Sequence, residues 1–138
     1  MSRIDFFNSM EVSASGLTAQ RTRMNVASSN LANVSTTRTA DGGPYKRKDV
    51  VLAAQSGEPG TGVHGVEVAN IQDDQAPPRM EYDPGHPDAD AKGYVAYPNV
   101  NMVEEMVDMI TASRAYEAGI TALDTAVSLA ERAISIGG

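Results

Sequence analysis

The chain has 138 residues, 41% hydrophobic and only 5% aromatic, with no Trp and seven Met. That is material for one domain, and its small or flexible apolar side chains suit helix-to-helix seams better than a bulky globular centre. Eleven Lys and Arg face 18 Asp and Glu, for a net charge of −7. This balance argues against nucleic-acid binding and against docking on an anionic membrane, and the absence of Cys removes disulfides, zinc-thiolate sites and cysteine nucleophiles.

The amino terminus, Met1 to Met10, has no apolar core of a secretory signal, and no run approaches the ~18 apolar residues of a spanning helix. Any export is therefore expected to use a route without a cleavable signal. From Ile4 to Val34 the chain lacks Pro, and the positions Phe7, Met10, Ala14, Leu17, Arg21, Met24, Ser28 and Leu31 alternate at spacings of three and four. Six of the eight are apolar, which predicts a helix with a coiled-coil seam and with Arg21 and Ser28 as polar seam positions. Ser2 and Asp5 form a start signal, and Gly16 is a weak point within the helix.

All seven Pro lie between Pro44 and Pro98, and eight of the twelve Gly lie between Gly42 and Gly93. The middle therefore reads as strands and turns. Candidate strands are Tyr45 to Ala53, Val63 to Ile71 with Val66, Val68 and Ile71 on one face, Met80 with Tyr82, and Tyr94 to Tyr97. Pro98 ends this region. Asn101 is placed to cap a second helix, with Glu104 as its capping-box partner, and Gly137 to stop it. Its seam reads Met102, Met106, Met109, Ser113, Tyr116, Ile120, Leu123, Val127, Ala130 and Ile134. At 1.5 Å per residue this helix is ~52 Å long, more than the roughly 37 Å diameter of a compact domain of this length. An elongated molecule is expected, with a mainly α fold: two long terminal helices forming coiled-coil-like packing and a small irregular β-rich insert between them. The division is 1–36 for the N-terminal helix of the assembly core, 37–98 for the insert and 99–138 for the C-terminal helix. Charge follows it. Residues 1–40 carry four basic and two acidic side chains, 41–98 five and ten, and 99–138 two and six.

No catalytic set can be named and no enzyme activity is expected. His64 and His86 have no triad arrangement around them. Asp88-x-Asp90-x-Lys92-Gly93 begins like a calcium loop, but Lys92 and Asn99 stand where ligands are needed, so an Asp/Pro turn is the preferred reading. No metal or other cofactor is expected. The two seams could satisfy each other as a hairpin, but Val12, Val26, Val103, Val107 and Ile110 would then stay only partly covered, which points to further chains.

The stretch around Ser29-Asn30-Leu31-Ala32-Asn33-Val34-Ser35-Thr36-Thr37 resembles the S-x-N-[IL]-A-N-x-x-T signature of the bacterial flagellar axial proteins of rod and hook. Gly42 to Arg47, Tyr82 to Asp90, Gly93 to Ile110 and Ser113 to Ala118 are similar to its proximal rod subunits, and the likeness covers all three segments. Two departures are Gly119, where the family usually has Asn, and the ending Ser135-Ile-Gly-Gly138, which lacks the usual basic residues.

The resemblance implies a structural subunit of the basal-body proximal rod. It would polymerise through its terminal helices into the drive shaft that transmits torque across the periplasm. Synthesis would be cytoplasmic, with export by the flagellar type III apparatus. Implied partners are copies of itself, the other proximal rod proteins, the base adaptor, the distal rod and the export apparatus, with no nucleic acid and no direct membrane insertion. The expected assembly interface comprises Phe7, Met10, Leu17, Met24, Asn30, Leu31 and Asn33 on the first helix. On the second it comprises Met102, Met106, Met109, Tyr116, Ile120, Leu123, Val127 and Ile134. Asn30 and Asn33, three apart on one helical face, are expected to hydrogen-bond across the helix junction and fix register. The alternatives are a coiled-coil secretion adaptor or chaperone, and a different rod subunit.

Overall fold

The structure, a computed structural model, describes residues 3–57, 60, 62 and 64–137. The expected start signal at Ser2 and the strand residue Val63 lie outside the described residues. Among the described residues two long helices flank four strands: α1 (Arg3–Ala32), β1 (Lys48–Ala54), β2 (Val66–Asp73), β3 (Arg79–Tyr82), β4 (Tyr94–Tyr97) and α2 (Met102–Gly137).

Local side-chain chemistry marks the end of α1 and the start of α2. At the close of α1, the Asn33 side-chain amide donates to the Ser29 carbonyl at 2.8 Å and its oxygen accepts from the Thr36 hydroxyl at 3.1 Å. At the start of α2, Asn101 Oδ1 accepts from the Val103 and Glu104 amides at 3.0 and 3.3 Å, an N-cap as expected. The reciprocal arm differs from expectation. The Glu104 carboxylate makes no bond back to Asn101 among the described residues, while the Glu105 amide donates to the Asn101 carbonyl as the first bond of the helix. Gly137, expected beyond the helix end, is still helical and is not left-handed, so the stop is not built at that residue.

The insert is two separate antiparallel ribbons, β1 with β2 and β3 with β4. The first lies along α1. Its near end is tied at Asn30 through Lys48, and its far end at Ser15, whose hydroxyl accepts from the Val66 amide. Fifteen helical residues cover ~22 Å and the seven of β1 extend ~23 Å, so the ribbon and the helix segment match in length. A register shift at Val51/Leu52, where Leu52 pairs with Val68 and Val51 with Asn70, leaves Ala69 as an extra residue. This bulge puts Ile71 back in phase with Val66 and Val68, which simple alternation would not do. The second ribbon closes through Gly93, whose φ is +86°. A Cβ there would lie 2.8 Å from the Tyr82 ring, so a side chain at Gly93 meets both backbone strain and a clash.

α1 and α2 pair antiparallel: Asn30, near the end of α1, bonds Glu105 at the start of α2, and Leu17 in mid-α1 lies against Gly119 in mid-α2. The face that α2 turns inward carries Glu105, Met109, Ala112, Tyr116, Gly119, Leu123, Ala126 and Ala130, all buried or half-buried. Spacings of four and three run through this set. Only the Met109, Tyr116, Leu123 and Ala130 column was anticipated. The other expected column is displaced by one residue, so that Met106, Ile120, Val127 and Ile134 face outward. On α1 likewise, Met10, Leu17, Met24 and Leu31 are half-buried while Phe7, Ala14, Arg21 and Ser28 are exposed. Arg21 and Ser28 are therefore not polar groups buried in the seam. The physical reason is backbone distance. On the two helices, three of the five fully buried positions are alanines (Ala19, Ala27 and Ala112), and close helix approach favours small side chains over the large ones that a heptad count selects. In addition, α1 is covered on two sides, by α2 and by the β1–β2 ribbon, which widens its buried arc beyond one seam.

Candidate functional site

Two features of the chain are organised beyond what folding a small insert requires: a buried polar joint where the insert meets both helices, and an uncovered apolar face on α2.

At the joint, the Asn30 side chain is 1% exposed and makes four bonds. Its amide donates to the Lys48 carbonyl at 2.9 Å and to Glu105 Oε2 at 3.2 Å. Its oxygen accepts from the Lys48 amide at 2.9 Å and the Tyr45 hydroxyl at 2.8 Å. Glu105, also 1% exposed, receives the Arg47 guanidinium Nε on its other oxygen. Arg47 reaches Asp49, Asp74 and Asp108 as well, at 3.6, 3.5 and 3.8 Å, and its backbone amide donates to Asn99. Partial burial alone would lower the Arg47 pKa. The hydrogen bond and charge of Glu105, with Asp49 and Asp74 behind it, reverse that and hold it above its ordinary value. A carboxylate buried to this depth is tolerable because its charge is paired and both its oxygens are bonded.

A second tie joins the end of α1 to the turn before β4. Asp88 accepts from the Thr37 hydroxyl at 2.7 Å and pairs with Arg38 at 2.6 Å. The Thr37 bond first, and then the Arg38 charge, hold its carboxyl below the usual carboxylate range. In the same turn Asp90 Oδ1 accepts from the Lys92 and Tyr94 amides, as an Asp turn does, and His86 Nδ1 accepts from the Asp88 amide. His64 accepts from the Gly57 amide. Both histidines and the acidic turn are thus occupied by local backbone.

The expected interface residues separate into three groups. Asn30 is enclosed within the subunit and has no free hydrogen-bonding capacity to offer a neighbour. Its register-setting bonds run to the insert and to α2 of its own chain, while Asn33 caps its own helix. Met10, Leu17, Met24, Leu31, Met109, Tyr116 and Leu123 lie half-buried along the hairpin. Phe7, Met102, Met106, Ile120, Val127 and Ile134 are exposed. With Val103, Val107 and Ile110, at 69, 54 and 55% exposure, the α2 members of that last group make a long apolar face that none of the described residues covers. No helix is long and apolar enough to cross a membrane among the described residues.

Similarity to known proteins decides what such a face belongs to. The family model for flagella basal body rod proteins matches residues 10–38, and that for the C-terminal region of the flagellar basal body rod FlgEFG proteins matches 91–136. The chain is 48% identical to the flagellar basal-body rod protein FlgC of Borreliella burgdorferi, with 94% of this chain and 96% of the relative aligned. It is 45% identical to FlgC of Escherichia coli O6:H1 over 94% and 96%, and 42% identical to FlgC of Bacillus subtilis over 95% and 97%. The chain belongs to the FlgC family of flagellar basal-body rod proteins. Within that family the chain is a structural subunit of the proximal rod and not an enzyme. The two matched regions fall on α1 and α2 with the residues that flank them, and the FlgC relatives extend the likeness across the insert.

Sequence reasoning missed the hub of the joint. Arg47 falls within the Gly42 to Arg47 stretch and Glu105 within the Gly93 to Ile110 stretch, and the sequence assigns neither a role of its own. No local signal marks the pair: Glu105 stands one residue off the expected seam, beside Met106, and becomes an inward acid in need of a cation only once the helices are packed.

Proposed function

We propose that this subunit polymerises through its terminal helices, with copies of itself and with other rod proteins, into the shaft that carries torque across the periplasm. The observation that carries this reading is the face of α2 from Met102 to Ile110. Met102, Val103, Met106, Val107 and Ile110 are each between 47 and 69% exposed, within nine residues. Large contiguous apolar faces mark interaction sites, and this one is supported on a rigid helix held at its base by the Asn30–Glu105–Arg47 joint. A helix pair resists twisting along its length, and the joint prevents the insert from swivelling against it. Both properties suit a torque-bearing part. The subunit is made in the cytoplasm and passes through the flagellar type III apparatus, the route that the resemblance to rod subunits implies.

The test is fractionation. In a strain carrying a tagged chain in place of its own copy, the tag should copurify with basal bodies after hooks are removed. It should do so together with the base adaptor and the distal rod. Recovery of the tag only in a soluble cytoplasmic complex with export substrates would favour a secretion adaptor and overturn the rod reading.

A further inference from the structure

We propose that the outer stripe of α2 seats α1 of a second copy of this chain, laid antiparallel, with Arg21 of one copy against the acidic row of the other. The contact rests on the rod-subunit reading above and adds the partner helix, its direction and its charge pairing.

Along α2, Ile120, Val127 and Ile134 recur every seven residues and are 39, 37 and 75% exposed. Three residues ahead of each stand Glu117, Asp124 and Glu131, also exposed. By helical geometry this acidic row lies farther round the helix from α1 than the apolar column does. The chain's own α1 cannot cover the stripe, because it occupies the face carrying Ala112 and Gly119. A covering helix must present apolar side chains at seven-residue spacing and bring positive charge to the acidic flank.

The exposed row of α1 meets both conditions. Phe7, 56% exposed, Ala14 and Arg21 recur every seven residues on the side of α1 left open by α2 and the ribbon. An antiparallel alignment that sets Phe7 on Ile134 sets Ala14 on Val127 and Arg21 on Ile120. Arg21 then falls level with Glu117 and Asp124. None of Arg21, Glu117 and Asp124 has an ion-pair partner among the described residues. The direction is also consistent: α1 and α2 are antiparallel within one chain, so copies pointing the same way present α1 antiparallel to a neighbour's α2. The two patches differ, so the contact is heterologous and can propagate without closing.

The experiment uses the natural absence of Cys. Cells lacking their own copy produce two full-length chains together, one Ala14→Cys and the other Val127→Cys, and their basal bodies are purified and mildly oxidised. A disulfide-linked dimer of the two variants is expected, and neither variant produced alone should give it. Arg21→Glu should reduce that dimer at least tenfold. Combining it with Glu117→Arg and Asp124→Arg should restore the yield to within about threefold. All these positions are exposed, so circular dichroism of each purified chain should show unchanged helix. Basal bodies that contain the chain but give no dimer, or a dimer indifferent to Arg21→Glu, overturn the contact and leave the rod reading standing. Absence of the unmodified chain from basal bodies would instead remove the rod reading itself.

Discussion

Asn30 shows how much one side chain can hold. Its four bonds join α1 to the start of β1 and to the first turn of α2, and a neutral amide does this with no charge of its own to desolvate. Glu105 is the opposite case, a buried charge whose environment must stay intact. Arg47→Met should therefore cost about 3 kcal/mol by leaving that carboxylate unpaired. The double variant Arg47→Met, Glu105→Leu should recover most of the loss, since neither charge then remains buried. Urea unfolding of the three variants measures the difference, and a double variant as weak as the sum of the singles would contradict it. Asp88 provides a pH-dependent element. Its folded pKa is depressed by Thr37 and then Arg38, so its contribution to stability is present above the unfolded value of about 4 and is lost as pH falls through the lower folded value. Carboxyl NMR should place its midpoint below that of an unstructured Asp, and Thr37→Val should raise it. Asn30 drew notice in the sequence as part of a motif. Its partner Glu105, 75 residues away, could not, because nothing local in a helix first turn distinguishes a buried acid from a dipole-favoured exposed one.

At the scale of elements, local rules predicted most of what formed. Proline placement left both termini free for helices, and the four strands among the described residues appear at or next to the stretches expected of them. The Asn101 cap is a purely local device. Asn101→Ala should destabilise the subunit by about 1 kcal/mol, read as a lower thermal midpoint with unchanged helix content in the folded baseline. Helix pairing was less legible. Period alone fixed the spacing of the seams, but the face that turned inward was chosen by small side chains. Gly119 is the clearest instance: a Cβ there would lie 2.7 Å from Leu17 Cδ2. Gly119→Ala gains about 1 kcal/mol of helix propensity and forces only the tip of a flexible side chain to move, so it should be close to neutral. Gly119→Val should be destabilising alone and less so beside Leu17→Ala. A non-additivity below about 0.5 kcal/mol in that cycle would show that the two residues do not share the space.

At the scale of the whole molecule, the accessible surface is 9359 Å², against about 6,900 Å² for a compact monomer of 14.6 kDa. The excess reflects two long helices that meet along one face only, with an insert laid against the outer side of α1. Such a chain keeps apolar surface for neighbours. Replacing Met106 and Ile110 by Glu should leave the helix content of the purified subunit unchanged, because both are exposed, and should prevent its incorporation into basal bodies. Normal motility in that double variant would contradict an assembly role for this face.

What the sequence determined by itself was the kind of protein. Breaker placement, heptad period, the acidic balance and the motif around Asn30 and Asn33 are properties of the chain read in order, and they sufficed for two terminal helices, a β-rich insert and a place among the flagellar axial proteins. Only the tertiary structure decided which column of each heptad faces its own chain and which faces outward, and that Glu105 must find Arg47. Those choices depend on how closely two backbones can approach and on which distant groups then lose water. Neither is a function of neighbouring residues, so periodicity could name the candidates but not assign them to the inside or the outside.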